Sequence, residues 1–304
     1  MEKGRTLTNW SRILKLTLPG LLAVVCCLGC SSVRNPRPED GSRIPDLAYR
    51  EGVRVHSPKN ELDLYIPRGE GPHPTVLFLH GGGWISGDRK MPGGLYGNVG
   101  WTLAARGYLV GVASYRLAPQ FPYPAQPEDV AAAFRWMVDH SAEYGGEPSR
   151  VALIGHSAGA HLAALVAMDP RYLTSVGLTK GKIACVVGVS GVYDLTLDGF
   201  EAYEEVLFLQ PTYGFTKERR AEASPVSYVT AEAPPILLIL GEEESISFGR
   251  QARALVETFE WKDRHDVRIV RIPNRTHASV IRRIGTEGDL LESILDRYLK
   301  TVFQ

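Results

Sequence analysis

Short apolar runs alternate along this chain with longer stretches of helical periodicity. Six runs have the length and composition of buried strands: Thr75 to Leu79, Tyr108 to Ala113, Val151 to Ile154, Ile183 to Val189, Ile236 to Leu240 and Val267 to Ile272. They are continuous rather than alternating in polarity, as strands covered on both faces should be. The small-residue stretch Ala160 to Met168 reads as a helix, and near the end Leu290, Leu291, Ile294, Leu295 and Tyr298 share one face of an amphipathic helix. Alternation of this kind predicts an α/β domain with a mostly parallel sheet and helices on both faces.

The pattern breaks in two places. Near the N-terminus, Lys3, Arg5, Arg12 and Lys15 precede an apolar stretch from Leu16 to Leu28, too short for a comfortable membrane span. With Gly29 and Cys30 after it, residues 1–29 read as a signal peptide, and residues 30–47, rich in Pro, Arg and polar side chains, as a tether. Residues 48–304 then form the folded domain. The second break, 195–224, interleaves Phe200, Tyr203, Leu207, Phe208, Tyr213 and Phe215 with charges. It is either a helical excursion packed on the domain or a small cap over a binding pocket.

Charge and cysteine content narrow the class. The 34 basic and 34 acidic residues balance, and without residues 1–29 they become 30 and 33. No basic stripe accompanies this slightly acidic balance, so nucleic acid is not an expected partner. Of the four cysteines, Cys26 and Cys27 would leave with the signal and Cys30 would be acylated. That leaves Cys185 alone in an apolar strand, where the default is an inert thiol. The eight histidines are scattered without a metal-ligand pattern, and neither a metal nor an organic cofactor is expected.

The chemistry sits where strands end. Gly155-His156-Ser157-Ala158-Gly159 lies between the strand ending at Ile154 and the helix beginning at Ala160. A serine on such a strand-to-helix turn has its hydroxyl raised above the sheet edge, and the helix N-terminus behind it favours negative charge. His80-Gly81-Gly82-Gly83-Trp84 follows the first predicted strand. A Gly-rich phosphate loop would need a GK[ST] ending or GxGxxG spacing, and neither is present. The N–H groups of Gly82, Gly83 and Ala158 are therefore the candidate oxyanion donors. His277, in the turn-rich loop after the strand Val267 to Ile272, is the candidate base. His265, in a charged run, reads as solvated, and His156 and His161 as packing beneath the turn. The acid has three candidates. Glu244 stands first by order and position, Glu243 second, and Asp194, after the strand Ile183 to Val189, third, although an aspartate so placed is more often a structural turn residue.

These motifs resemble the α/β-hydrolase superfamily, and within it the HGGG-bearing carboxylesterases of the BD-FAE and hormone-sensitive-lipase type. The resemblance runs from about residue 48 onward and includes Tyr115-Arg116-Leu117-Ala118-Pro119, Asp129 and Tyr144-Gly145-Gly146-Glu147-Pro148. His156 stands where hormone-sensitive-lipase relatives carry aspartate, which is closer to the BD-FAE, isoprenylcysteine-methylesterase and kynurenine-formamidase branch. Glu244 occupies the position of the family's aspartate. The resemblance implies acyl transfer from a small ester through Ser157, His277 and Glu244, with broad or short-acyl specificity and polysaccharide deacylation among the substrates. An amide-cleaving relative (arylformamidase or peptidase-like) and a non-catalytic binding protein are the alternative readings. Cys30 sits as the lipidated residue of a bacterial lipobox, implying an exported, membrane-anchored protein.

Overall fold

The computed structural model describes residues 41–50, 59–198, 200, 205–214 and 216–304. The signal, Cys30 and most of the tether lie outside the described residues. Eight strands form one sheet: β1 (Ser42–Ala48), β2 (Glu61–Ile66), β3 (His73–Leu79), β4 (Leu109–Ala113), β5 (Gly146–His156), β6 (Ile183–Val189), β7 (Ile236–Gly241) and β8 (Val267–Ile272). Their order is β1-β2-β4-β3-β5-β6-β7-β8, antiparallel at β1–β2 and β2–β4 and parallel elsewhere.

The six predicted runs are the six parallel strands. β1 is a correction: it occupies residues 42–48, inside the segment expected to be a tether up to residue 47. Its sequence concealed it, because an edge strand needs little apolar surface. Only Ile44 and Leu47 face the core, and the register shifts between them beside Pro45 and the positive-φ Asp46. The buried Arg89 fastens this edge, donating to Asp63 at 3.0 Å and pairing with Asp46 and Glu61.

Alternating strand residues feed two cores. Leu77, Leu79, Leu153 and Leu238 pack on one face with α2 (Ala125–His140), α3 (Ala158–Met168) and α4 (Ile246–Trp261). Val76, Phe78, Val110, Ile154 and Val187 pack on the other with α1 (Gly97–Ala105) and α5 (Leu290–Phe303). Cys185 belongs to this second core, where burial pushes its thiol up to about 12. In α5 the buried apolar residues are Leu291, Leu295 and Leu299, with Ile294 and Tyr298 packed beside them; Leu290 is 44% exposed. That departs from the predicted face because Leu290 is the first helical residue, directly after the Asp289 cap that accepts from the Glu292 N–H at 2.9 Å.

Among the described residues His80 and His161 are fully enclosed and His156 nearly so. Burial lowers His80 and His161 from the ordinary 6.5 to about 4, and burial together with the neighbouring His277 lowers His156 to about 3. Each is neutral in the fold and protonates more readily when unfolded. Their stabilisation is therefore complete above pH 6.5 and is lost as pH falls towards the folded values, by up to about 1.4 kcal/mol per pH unit for each histidine. Urea unfolding at pH 7.5, 6.0 and 5.0 should show stability falling steeply across the lower interval. A flat profile there would contradict the burial of these rings as neutral groups.

Candidate active site

The candidate catalytic and oxyanion residues lie at the C-terminal edge of the parallel sheet. Ser157 follows β5 with φ 55° and ψ −120°, a conformation L-residues rarely occupy and one that costs about 1–3 kcal/mol. Close backbone packing on both sides sustains it. A Cβ on Gly155 would come within 2.3 Å of the Gly159 backbone, and one on Gly159 within 2.3 Å of the Leu79 carbonyl oxygen. The Ser157 N–H donates to the Val189 carbonyl at 2.8 Å, tying the turn to the end of β6. The strain raises the hydroxyl towards the loop that follows β8.

That loop delivers His277. Its Nε2 lies 3.0 Å from Ser157 Oγ, within reach for proton transfer. The ring stacks on Phe248 of α4, with centroids 4.3 Å apart and planes at 24°. Glu244, in the loop between β7 and α4, approaches the opposite nitrogen, with Oε2 3.8 Å from Nδ1. Its side chain is 1% exposed. The other oxygen, Oε1, accepts the Gly241 N–H at 2.8 Å and the Ser190 hydroxyl. Glu244 Oε2 and His277 Nδ1 are both buried without another partner among the described residues, so each is left for the other. Hydrogen bonds of this kind are often long before substrate arrives and tighten in the reacting complex.

The other acid candidates stand elsewhere. Asp194 accepts from the N–H and hydroxyl of Thr196 at 2.8 and 2.6 Å, closing its own turn. Glu243 is exposed, and its N–H donates to the Arg275 carbonyl at 2.9 Å. His265 is 75% exposed, and His161 bridges Trp84 Nε1 at 3.2 Å and the Ala223 carbonyl at 2.8 Å. Among the described residues no group of three His, Cys, Asp or Glu could hold a metal.

Gly82 and Gly83 have φ of 126° and 61°, and the Gly82 carbonyl turns away to accept Ser86 N at 3.0 Å. The N–H groups of Gly82, Gly83 and Ala158 donate to no acceptor among the described residues. Gly81 is where the loop meets the serine turn: a Cβ there would sit 2.8 Å from His156 Nδ1 and 3.0 Å from Ser157 Cβ. Gly81→Ala should therefore displace the loop from the serine, costing about 1–3 kcal/mol of stability and more than tenfold in turnover. Thermal unfolding together with ester turnover checks this, and an unaffected enzyme would show that the two loops need no such contact.

Within the described part of 195–224, some side chains are buried and one lies against the glycine loop. Leu209, Thr212 and Tyr213 are buried, while Phe208, from a single π-helical turn at Glu205–Leu209, lies so near Gly83 that a Cβ there would stand 2.5 Å from its ring. Sequence reasoning missed Phe248, Ser190 and Tyr96. The one usable signal was Ser190 at the end of a predicted strand, the position where Ser157 sits one strand earlier.

A parallel sheet with a strained serine turn after β5, a carboxylate after β7 and a histidine after β8, meeting at one edge, defines an α/β-hydrolase. The chain belongs to the BD-FAE family, whose model matches residues 62–259. It is similar to the probable carboxylic ester hydrolase LipM of Mycobacterium tuberculosis, 30% identical over 245 residues that cover 77% of this chain and 55% of that protein. Esterase LipC of the same organism is 32% identical over 218 residues, covering 68% of this chain and 53% of that protein. The chain thus spans about half the length of these curated relatives. Among solved structures, esterase B from Lactobacillus rhamnosis superimposes with a TM-score of 0.78 at 22% identity, covering 96% of this chain and 97% of that one. A truncated carbohydrate esterase from gut microbiota gives 0.70 at 19% identity, over 88% and 99%.

Proposed function

We propose that this protein is a serine carboxylesterase that cleaves short-acyl esters through an acyl-enzyme on Ser157. The observation that carries the reading is the 3.0 Å approach of His277 Nε2 to the hydroxyl of a serine held at φ 55°. His277 removes the Ser157 proton as Oγ attacks the ester carbonyl carbon, and the carbonyl electron pair moves onto oxygen. The N–H groups of Gly82, Gly83 and Ala158 receive that oxyanion. Collapse of the intermediate expels the alkoxide, which takes the proton from His277 and leaves as alcohol. Water then repeats the cycle, releasing the carboxylic acid and free serine. Glu244 keeps the Nδ1 proton in place and offsets the imidazolium charge.

Phe208 over the glycine loop supports a short-acyl preference, because an aromatic ring close to the oxyanion donors limits room for the acyl chain. Turnover of p-nitrophenyl acetate and butyrate should exceed that of the octanoate by about tenfold or more, since each methylene that cannot be accommodated costs roughly 1–3 kcal/mol. Faster octanoate cleavage would overturn this preference, and amide cleavage without ester cleavage would overturn the esterase reading. Polysaccharide acyl groups are the natural substrates we favour, in keeping with the similarity to a carbohydrate esterase. The sequence around Cys30 supports export and lipidation, which metabolic labelling with a palmitate analogue in wild type and Cys30→Ser would test.

A further inference from the structure

His156 precedes the nucleophile, yet its side chain serves neither the core nor the solvent. It is 5% exposed and uses both ring nitrogens. Nε2 lies 3.0 Å from the backbone carbonyl of His277, and Nδ1 lies 3.3 Å from the hydroxyl of Tyr96. A carbonyl can only accept, so Nε2 carries the proton and Nδ1 is the acceptor. The Tyr96 hydroxyl must then donate to Nδ1, and its oxygen accepts the Gly81 N–H at 3.0 Å. One tautomer satisfies the whole series: Gly81 N–H to Tyr96 O, Tyr96 O–H to His156 Nδ1, His156 Nε2–H to His277 O.

The ends of this series are the two pieces that the reaction must hold in register. Gly81 opens the glycine loop, one residue before the first candidate oxyanion donor. His277 supplies the base. The two rings lie 4.9 Å apart at 40°, and Gly81 has no side chain because a Cβ would strike His156 Nδ1 at 2.8 Å. The contact with Glu244 is longer, at 3.8 Å, so the His277 backbone is held more tightly from the His156 side than its ring is from the acid.

We propose that Tyr96 and His156 are positioning residues: a hydrogen-bonded relay that ties the His277 loop to the first amide of the glycine loop and so fixes base and oxyanion donors relative to one another. The proposal rests on the esterase reading above. The neutral state favoured by burial of His156 suits it, because the relay needs an acceptor at Nδ1. A second cation beside His277 would also oppose the imidazolium formed in each half-reaction.

The test compares Tyr96→Phe, His156→Phe and His156→Gln with wild type on p-nitrophenyl butyrate, with kcat, KM and thermal midpoint measured for each. Tyr96→Phe deletes only the hydroxyl and keeps the ring packed on Phe78. The relay predicts at least a tenfold fall in kcat for Tyr96→Phe and His156→Phe, with KM within twofold. His156→Gln, whose amide N–H can replace the Nε2 donor, should recover kcat to within about threefold of wild type, because the donor to the His277 carbonyl is restored. A purely structural role would lower the thermal midpoint and leave kcat per folded molecule unchanged. That result, or a glutamine variant no better than the phenylalanine one, overturns the relay while wild-type turnover still upholds the esterase. An inactive wild type would instead remove the esterase reading and the relay with it.

Discussion

Ser157→Ala should abolish ester turnover, lowering kcat by at least about 10⁴-fold while the protein stays folded. Deleting Oγ removes the atom that lies 3.0 Å from His277 Nε2, and with it the bond that would carry the acyl group. The fold should tolerate the change. Alanine is smaller than serine, and the φ of 55° is imposed by the packing of Gly155 and Gly159 rather than by the hydroxyl. Unchanged thermal unfolding beside lost turnover of p-nitrophenyl acetate is the expected pair of results. A residual rate within tenfold of wild type would mean that the nucleophile is elsewhere.

The second large effect is expected at Glu244→Gln, through the way the side chain is already committed. Oε1 faces two donors, the Gly241 N–H and the Ser190 hydroxyl. A glutamine must therefore turn its oxygen to that side and its NH₂ towards His277 Nδ1. Facing a donor, Nδ1 would have to accept, and the ring proton would move to Nε2, where it blocks removal of the serine proton. The wrong tautomer, with little change in shape, should lower kcat by about 10³–10⁴-fold, as loss of the acid does in hydrolases of this mechanism. Kinetics and circular dichroism on the purified variant check this together. A loss below threefold would move the acid to Glu243 or Asp194, although neither side chain is directed at His277.

Much of this arrangement was legible in the sequence because it depends on local chain geometry. Ser157 between two glycines, three glycines after His80 and a histidine after the last strand each mark a strand end, and strand ends of a parallel sheet gather at one edge. The six buried strands were visible as continuous apolar runs. β1 and β2 were not: the edge strand β1 carries few apolar residues, and β2, paired on both sides, interrupts its apolar residues with Glu61 and Asp63, whose partner is Arg89. Ser190, Phe248 and Tyr96 were hidden for another reason: each acts on a residue at least 29 positions away, and such partners exist only once the sheet has formed. Tyr96 lies 60 residues from His156, on the turn entering α1, with no motif around it.

The most direct test of the central claim is to trap the nucleophile. Wild type, Ser157→Ala and His277→Ala would be treated with a short-chain p-nitrophenyl phosphonate, which forms a stable tetrahedral adduct on an activated serine, and examined by intact mass and peptide mapping. The account predicts one adduct in the wild type, confined to the peptide containing Ser157. It predicts none in Ser157→Ala and labelling slowed by orders of magnitude in His277→Ala. A folded protein that turns over esters but carries the label on another residue, or carries none, would contradict it.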